Sequence, residues 1–268
     1  SVTTGVDNTL IGAAAGDAIT TGGNNVAIGA GALGADDVGK KSVAIGNAAL
    51  GSQNYATATD SNNVAIGNGA GSTVSTGTDN VLIGATAGSN VTSGGGNIII
   101  GDADGSAAGT NHQIIMGNTV VGVGQDNFTF GRGGTDSNIE FGATGITAPS
   151  DERYKENIQT STAGLSFIND LRPVTFQWKK EKDIPIDHQA YVEGSDTRVM
   201  LSNGETNHGF IAQEVKAVID AHSEIKDGFK MWSVEQGSGG RQRLGEASLV
   251  PMLVKALQEL SAKNDALE

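Results

Sequence analysis

The nine residues SDERYKENI, 150–158, hold a pairing whose types and spacing suggest covalent chemistry. A serine hydroxyl becomes a nucleophile only when a base removes its proton. Lys155 stands five residues after Ser150, and a neutral lysine amine is the base in serine–lysine dyads. Arg153 favours a neutral amine there, whereas Asp151, Glu152 and Glu156 oppose it, so spacing leaves the matter open. A plainer reading fits the same letters. Ser150 caps a helix start, and Asp151 and Glu152 sit near its positive end, although Arg153 stands where a capping box has Glu. On pattern alone the plainer reading is the ordinary one.

Other groups weigh less. His208, ahead of GFIAQEV, reads first as a helix-start or packing residue and second as a helper at the site. Gln213 and Glu214 read as solvated or subunit-contact residues. Asp102 and Asp104 of GDADG hint at calcium, but two carboxylates fall short of about six to eight oxygen ligands, and they read as turn residues. The GxGxxG-like text over 29–34 lacks a βαβ context and belongs to a repeat. No cofactor site and no metal site is read. The chain has no Cys, which excludes disulfides and thiolate metal sites.

Ser150 also marks a change of composition. Residues 1–149 carry 11 acidic and 3 basic side chains, whereas residues 150–268 carry 19 and 14. Both Trp residues, Trp178 and Trp232, lie in the later part. Across 268 residues there are 40 Gly, about twice the usual share, and the formal net charge is −13. That charge repels nucleic-acid backbones and anionic membranes. No apolar run approaches the ~20 residues that span a bilayer.

The first part is repetitive. An apolar-apolar-Ile-Gly phrase, or its IIMG variant, ends at Gly12, Gly29, Gly46, Gly67, Gly84, Gly101 and Gly117, in steps of 17, 17, 21, 17, 17 and 16. The long step contains QNYATATDSNN, a four-residue insertion of the kind that maps to loops on one face of a solenoid. A second phrase such as GAAAG or GATAG follows each of the first six. Asn25, Asn63, Asn80 and Asn97 precede their repeats. Each unit reads as two short strands separated by turns that Gly and Asn supply. Ile11, Ile28, Ile45, Ile66, Ile83 and Ile100 are expected to form an interior ladder of a parallel β-roll.

Residues 119–149 alternate apolar and polar side chains among many Gly, and predict short strands in an interleaved neck. Beyond Ser150, PVTFQWKK predicts a strand, and NHGFIAQEVKAVIDAH a helix with Ile211, Val215, Val218 and Ile219 on one stripe. HSEIKDGFKMWSVEQ predicts a turn and strand. At the end, Val250, Leu253, Leu257, Leu260, Asn264 and Leu267 step by 3, 4, 3, 4 and 3, a short coiled-coil seam with one polar position.

The repeats, over residues 8–118, resemble the head repeats of trimeric autotransporter adhesins, whose units are shorter; similar repeats occur in some phage fibres. SDERYKENI, GFIAQEV and LVPMLVKALQEL, in that order, resemble the signatures of the intramolecular chaperone auto-processing domain, the S74 peptidase family, with Tyr154 where Leu is common. That domain ends phage tail spikes and fibres, including endosialidase spikes, and occurs in myelin regulatory factor.

The resemblance implies a homotrimer whose C-terminal domain templates an upstream β-rich trimer and then cuts itself off. It implies Ser150 as nucleophile and Lys155 as its base, with the cut between Ser150 and Asp151. The expected architecture is a mainly β, trimeric parallel β-roll or β-solenoid of ~17-residue repeats over 1–118. A Gly-rich β neck over 119–149 and an α+β chaperone domain over 150–268, ending in a coiled-coil helix, follow. Expected partners are two further copies, upstream fibre or tail components, and a host surface glycan or protein receptor. Nucleic acid and membrane insertion are not expected. The expected location is the virion, as tail fibre or spike assembled in the host cytoplasm. The alternative is a bacterial trimeric surface adhesin or structural fibre with a non-cleaving C-terminal trimerisation domain.

Overall fold

The computed structural model describes residues 3–200, 204–226, 229–235 and 240–267. The ends of the first and last expected domains, and positions 227, 228 and 236 of the expected turn and strand, lie outside the described residues. Two compact units are present, Ser1–Lys155 and Glu156–Glu268.

The first unit is a β-solenoid of about seven turns. Strands β1 (Thr9–Ile11), β2 (Val26–Ile28), β3 (Val43–Ile45), β4 (Val64–Ile66) and β5 (Val81–Ile83) each pair in parallel with the same three positions of the next coil. Longer strands β6 (Ile98–Asp104), β7 (Ile114–Val121) and β8 (Asn127–Arg132) continue the stack, and β9 (Thr135–Glu140) folds back antiparallel on β8.

Each of the first five coils contributes one strand, not the two expected. The second phrase closes instead into tight turns: Ala15 N–H donates to Gly12 O at 3.3 Å and Ile19 N–H to Gly16 O at 3.1 Å. Gly16 N–H meanwhile reaches Ala32 O of the next coil at 2.9 Å. The glycine after each strand is required by close approach. Gly84 has φ 138°, and a Cβ there would lie 2.3 Å from Gly101 O. Asp102 and Asp104 stand in β6 rather than in a turn.

The expected interior ladder is reversed. A three-residue strand turns its middle side chain to one face and its outer two to the other. Here the middle residues Ala27, Ala44, Ala65, Leu82, Ile99 and Ile115 are fully buried. The Ile of each phrase lies on the opposite, outer face, where Ile11 is 57% and Ile66 37% exposed. Large interior side chains come from other parts of the coil as well, as with Ile19, Val74 and Val91. Where the middle residue is Ala27 or Ala44, Leu33 or Leu50, six positions on, fills the space. Where it is Leu82, the residue six positions on is Gly88, whose Cβ would meet Leu82 Cδ2 at 2.8 Å.

Asparagines bind the coils together. Asn63 Oδ1 accepts from Asn80 N–H at 2.9 Å, and Asn80 Oδ1 from Asn97 N–H at 3.1 Å. Asn80 Nδ2 donates to Gly94 O at 3.0 Å. Ser42 interrupts this ladder, and the insertion repairs the gap. Gln53 donates to Ser42 Oγ at 2.9 Å and to buried Asp36 at 2.6 Å, and accepts from Asn63 Nδ2 at 2.8 Å. Tyr55 Oη donates to Gly77 O at 2.7 Å. Burial first, with the Asp36 charge second, pushes the Tyr55 hydroxyl up to about 12. Burial likewise raises Asp36.

The second unit is a small α+β fold. It contains α1 (Leu165–Asp170), β10 (Val174–Phe176), β11 (Asn207–Gly209) and α2 (Ala212–Ala221), then β12 (Trp232–Val234), β13 (Gln242–Leu244) and α3 (Val250–Asp265). Asn207–Gly209, expected as the helix start, pairs antiparallel with β10, so α2 begins only at Ala212. Val215 and Ile219 are buried with Phe167 and Met231, and Val218 packs against that core. Ile211, at the cap, is 37% exposed. Leu249 and Ala256 are buried, and Glu259 accepts from Leu165 N–H at 2.9 Å, tying α3 to the start of α1. The seam residues Val250, Leu253, Leu257 and Leu260 stay exposed.

Candidate functional site

Asp151, not Ser150, caps the first turn after the solenoid. Its Oδ1 accepts from Arg153 N–H at 2.9 Å, and a single 3-10 turn over Glu152–Tyr154 follows. Tyr154 N–H returns to Asp151 O at 3.1 Å and Lys155 N–H to Glu152 O at 3.0 Å. This turn reverses the chain enough for Lys155 Nζ to reach Ser150 Oγ at 2.7 Å. The serine hydroxyl, free of capping duty, meets the amine that the spacing left open.

The pair lies in water. Residues 141–162 are exposed except for half-buried Asp151, and Tyr154 and Ile158 are 81% and 60% exposed. Arg153 grips Asp151 from the side, with Nε 3.0 and 3.1 Å from its two oxygens and Nη2 2.6 Å from Oδ2. That side-chain contact, then the Arg153 N–H, holds the Asp151 carboxyl below its usual range. The mutual engagement of Asp151 and Arg153 was missed in the sequence; a capping acid two residues before an Arg was the signal available.

The remaining candidates are placed elsewhere. His208 lies on β11 opposite Thr175 and is exposed. Glu214 pairs with Arg172, Nε to Oε2 at 3.0 Å, which lowers its carboxyl. Asp104 accepts from Ser89 Oγ at 2.7 Å and Asn90 N–H at 2.9 Å. Among the described residues no group of three or more His, Cys, Asp or Glu could hold a metal ion, and no helix is long and apolar enough to cross a membrane.

His222, unremarked in the sequence, caps the C-terminus of α2. Its Nε2 lies 2.9 Å from Asp170 and its Nδ1 2.9 Å from Glu224, and its ring meets Phe167 edge-on at 5.4 Å. Both contacts are satisfied only by the doubly protonated ring, so Asp170, then Glu224, raise its pKa above 6.5. A raised folded value gives stability that is complete below the unfolded pKa and is lost as pH rises through the folded one. The thermal midpoint of the second unit is therefore expected to fall as pH rises above about 6.5, and His222→Gln to flatten that slope. Identical slopes in parent and variant would contradict this role.

The family model for the chaperone of endosialidase, Peptidase S74, matches residues 150–224, beginning on Ser150. That family is one of self-cleaving peptidases. No curated protein and no solved structure matches the chain. The match supports a chaperone or trimerisation role in a fibre-like protein.

Proposed function

We propose that residues 150–268 act as an intramolecular chaperone for three copies of the chain and then release themselves by cutting at Ser150. The whole is read as a segment of a phage tail fibre or spike, with the solenoid as shaft. The observation that carries this reading is the 2.7 Å approach of Lys155 Nζ to Ser150 Oγ on the first residues of the matched stretch. An ammonium donates across that distance. A neutral amine accepts the hydroxyl proton across the same distance and frees the oxygen to attack.

Association is the switch. Water exclusion by neighbouring copies favours the neutral form of the amine. Two apolar surfaces support self-association. The outer columns of Val and Ile, half-buried except at Ile11, Ile66 and Ile98, run along the solenoid, and the seam of α3 stands uncovered. A bacterial surface fibre would share the repeats; the family match starting at Ser150 favours self-release.

Attack by Ser150 on its own carbonyl forms a strained ring, so cleavage between Ser150 and Asp151 uses a neighbouring copy's serine or an activated water. The alternative route is attack on the Pro149 carbonyl through a five-membered ring. The resulting ester is hydrolysed and the chain is cut before Ser150. Parent, Ser150→Ala and Lys155→Ala, compared on denaturing gels and by mass spectrometry, are expected to give two fragments, one intact chain and one intact chain. Two fragments from Ser150→Ala at this junction would refute the dyad.

A further inference from the structure

Four hydrogen bonds join Arg153 to Asp151, one from its backbone and three from its guanidinium. The pair is exposed, with side chains 84% and 37% accessible, so its contribution to folding is small. Its placement matters more. Asp151 adjoins the nucleophile, and its carboxylate is the acid nearest in sequence to Ser150. A free carboxylate on so short a turn would draw the Lys155 ammonium away from Ser150 Oγ and favour the charged amine. In the structure it is engaged along both oxygens, and Lys155 faces the hydroxyl. Glu152 and Glu156, the other acids of the turn, make no ion pair with Lys155 among the described residues.

We infer that Arg153 is a positioning residue: by occupying the Asp151 carboxylate it leaves the Lys155 amine to the Ser150 hydroxyl. A guanidinium suits this task, because its fixed fork spans both carboxylate oxygens while a lysine offers a point charge. Asp151 has a task of its own, since its Oδ1 caps the turn that returns Lys155.

The inference rests on the serine–lysine reading, and the test separates the two. Cleavage rates are compared for the parent, Arg153→Ala, Arg153→Lys and the double variant Asp151→Asn/Arg153→Ala. Asn keeps an oxygen for the cap but removes the competing charge. Arg153→Ala is expected to cut about fivefold more slowly, the scale of one exposed charge pair, with its pH–rate profile moved to higher pH. Arg153→Lys is expected to recover part of the rate. The double variant is expected to regain rate and profile over Arg153→Ala, which a merely structural role for Arg153 would not produce.

The same substitutions are also made in Ser150→Ala, where the labelling of Lys155 by an amine-directed acylating reagent is followed by mass spectrometry. Labelling is expected to slow when Arg153 is removed and to recover with Asp151→Asn, whether or not the parent cuts itself. An uncut parent with this labelling pattern would overturn the dyad alone. Equal labelling with and without Arg153, or no recovery in the double variant, would overturn the positioning role.

Discussion

Chains truncated after Pro149 are expected to misassemble, and purified domain 150–268 added afterwards is not expected to rescue them. The upstream solenoid offers long Val and Ile columns on one face. Three such faces can meet in many registers, and exposed strand columns associate wrongly when pairing is slow. A C-terminal seam that joins three chains first raises their effective concentration and fixes their register before the coils zip. The helix available for this is α3, whose opposite side is already committed to its own unit through Leu249, Ala256 and Glu259. Sedimentation and electron microscopy of the truncated chain would show heterogeneous aggregates. Uniform trimers from it would make the second unit dispensable.

The second large effect separates the two faces of one strand. Ala65→Asp places a charge at a fully buried position, where no partner awaits it, at a cost of several kcal/mol. The β signal in circular dichroism is expected to be lost. Ile66→Asp changes the outward neighbour, 37% exposed in the single chain. There the coil signal is expected to persist while sedimentation reports dissociated chains. If Ile66→Asp sediments and melts like the parent, the outer column is not the surface through which copies meet.

That contrast marks what the sequence revealed and what it concealed. The period of the coils was legible because Gly must recur where backbones approach within a Cβ's radius, as at Gly84. The direction of the Ile side chains was not. Large apolar residues are ordinarily assigned to the interior, and the VAI phrase offers two of them around one Ala. A partial signal lay six residues downstream, where Ala27 and Ala44 are followed by the buried Leu33 and Leu50 but Leu82 by Gly88. The insertion was legible as a length change, but its purpose depends on Ser42 lacking an amide, for which Gln53 and Tyr55 compensate. At the candidate site the residue types could be singled out, while the two compact units divide after Lys155 rather than before Ser150. The approach of Lys155 to Ser150 was not legible, because it depends on Asp151 rather than Ser150 capping the turn.

Cleavage after assembly, as proposed, would have a physical consequence. With the template gone, unfolding would have no matching low-barrier path back, and the shaft would be held by the rate of unfolding rather than by equilibrium. Such a sequence requires that cutting follow association, which an exposed Ser150–Lys155 pair in the single chain suits.

The most direct measurement is the intact mass of freshly expressed parent chain taken from native, associated material and then denatured. Two masses that sum to the full chain plus one water are expected, with the new end on one side of Ser150. A single full-length mass from fully associated protein would contradict self-release.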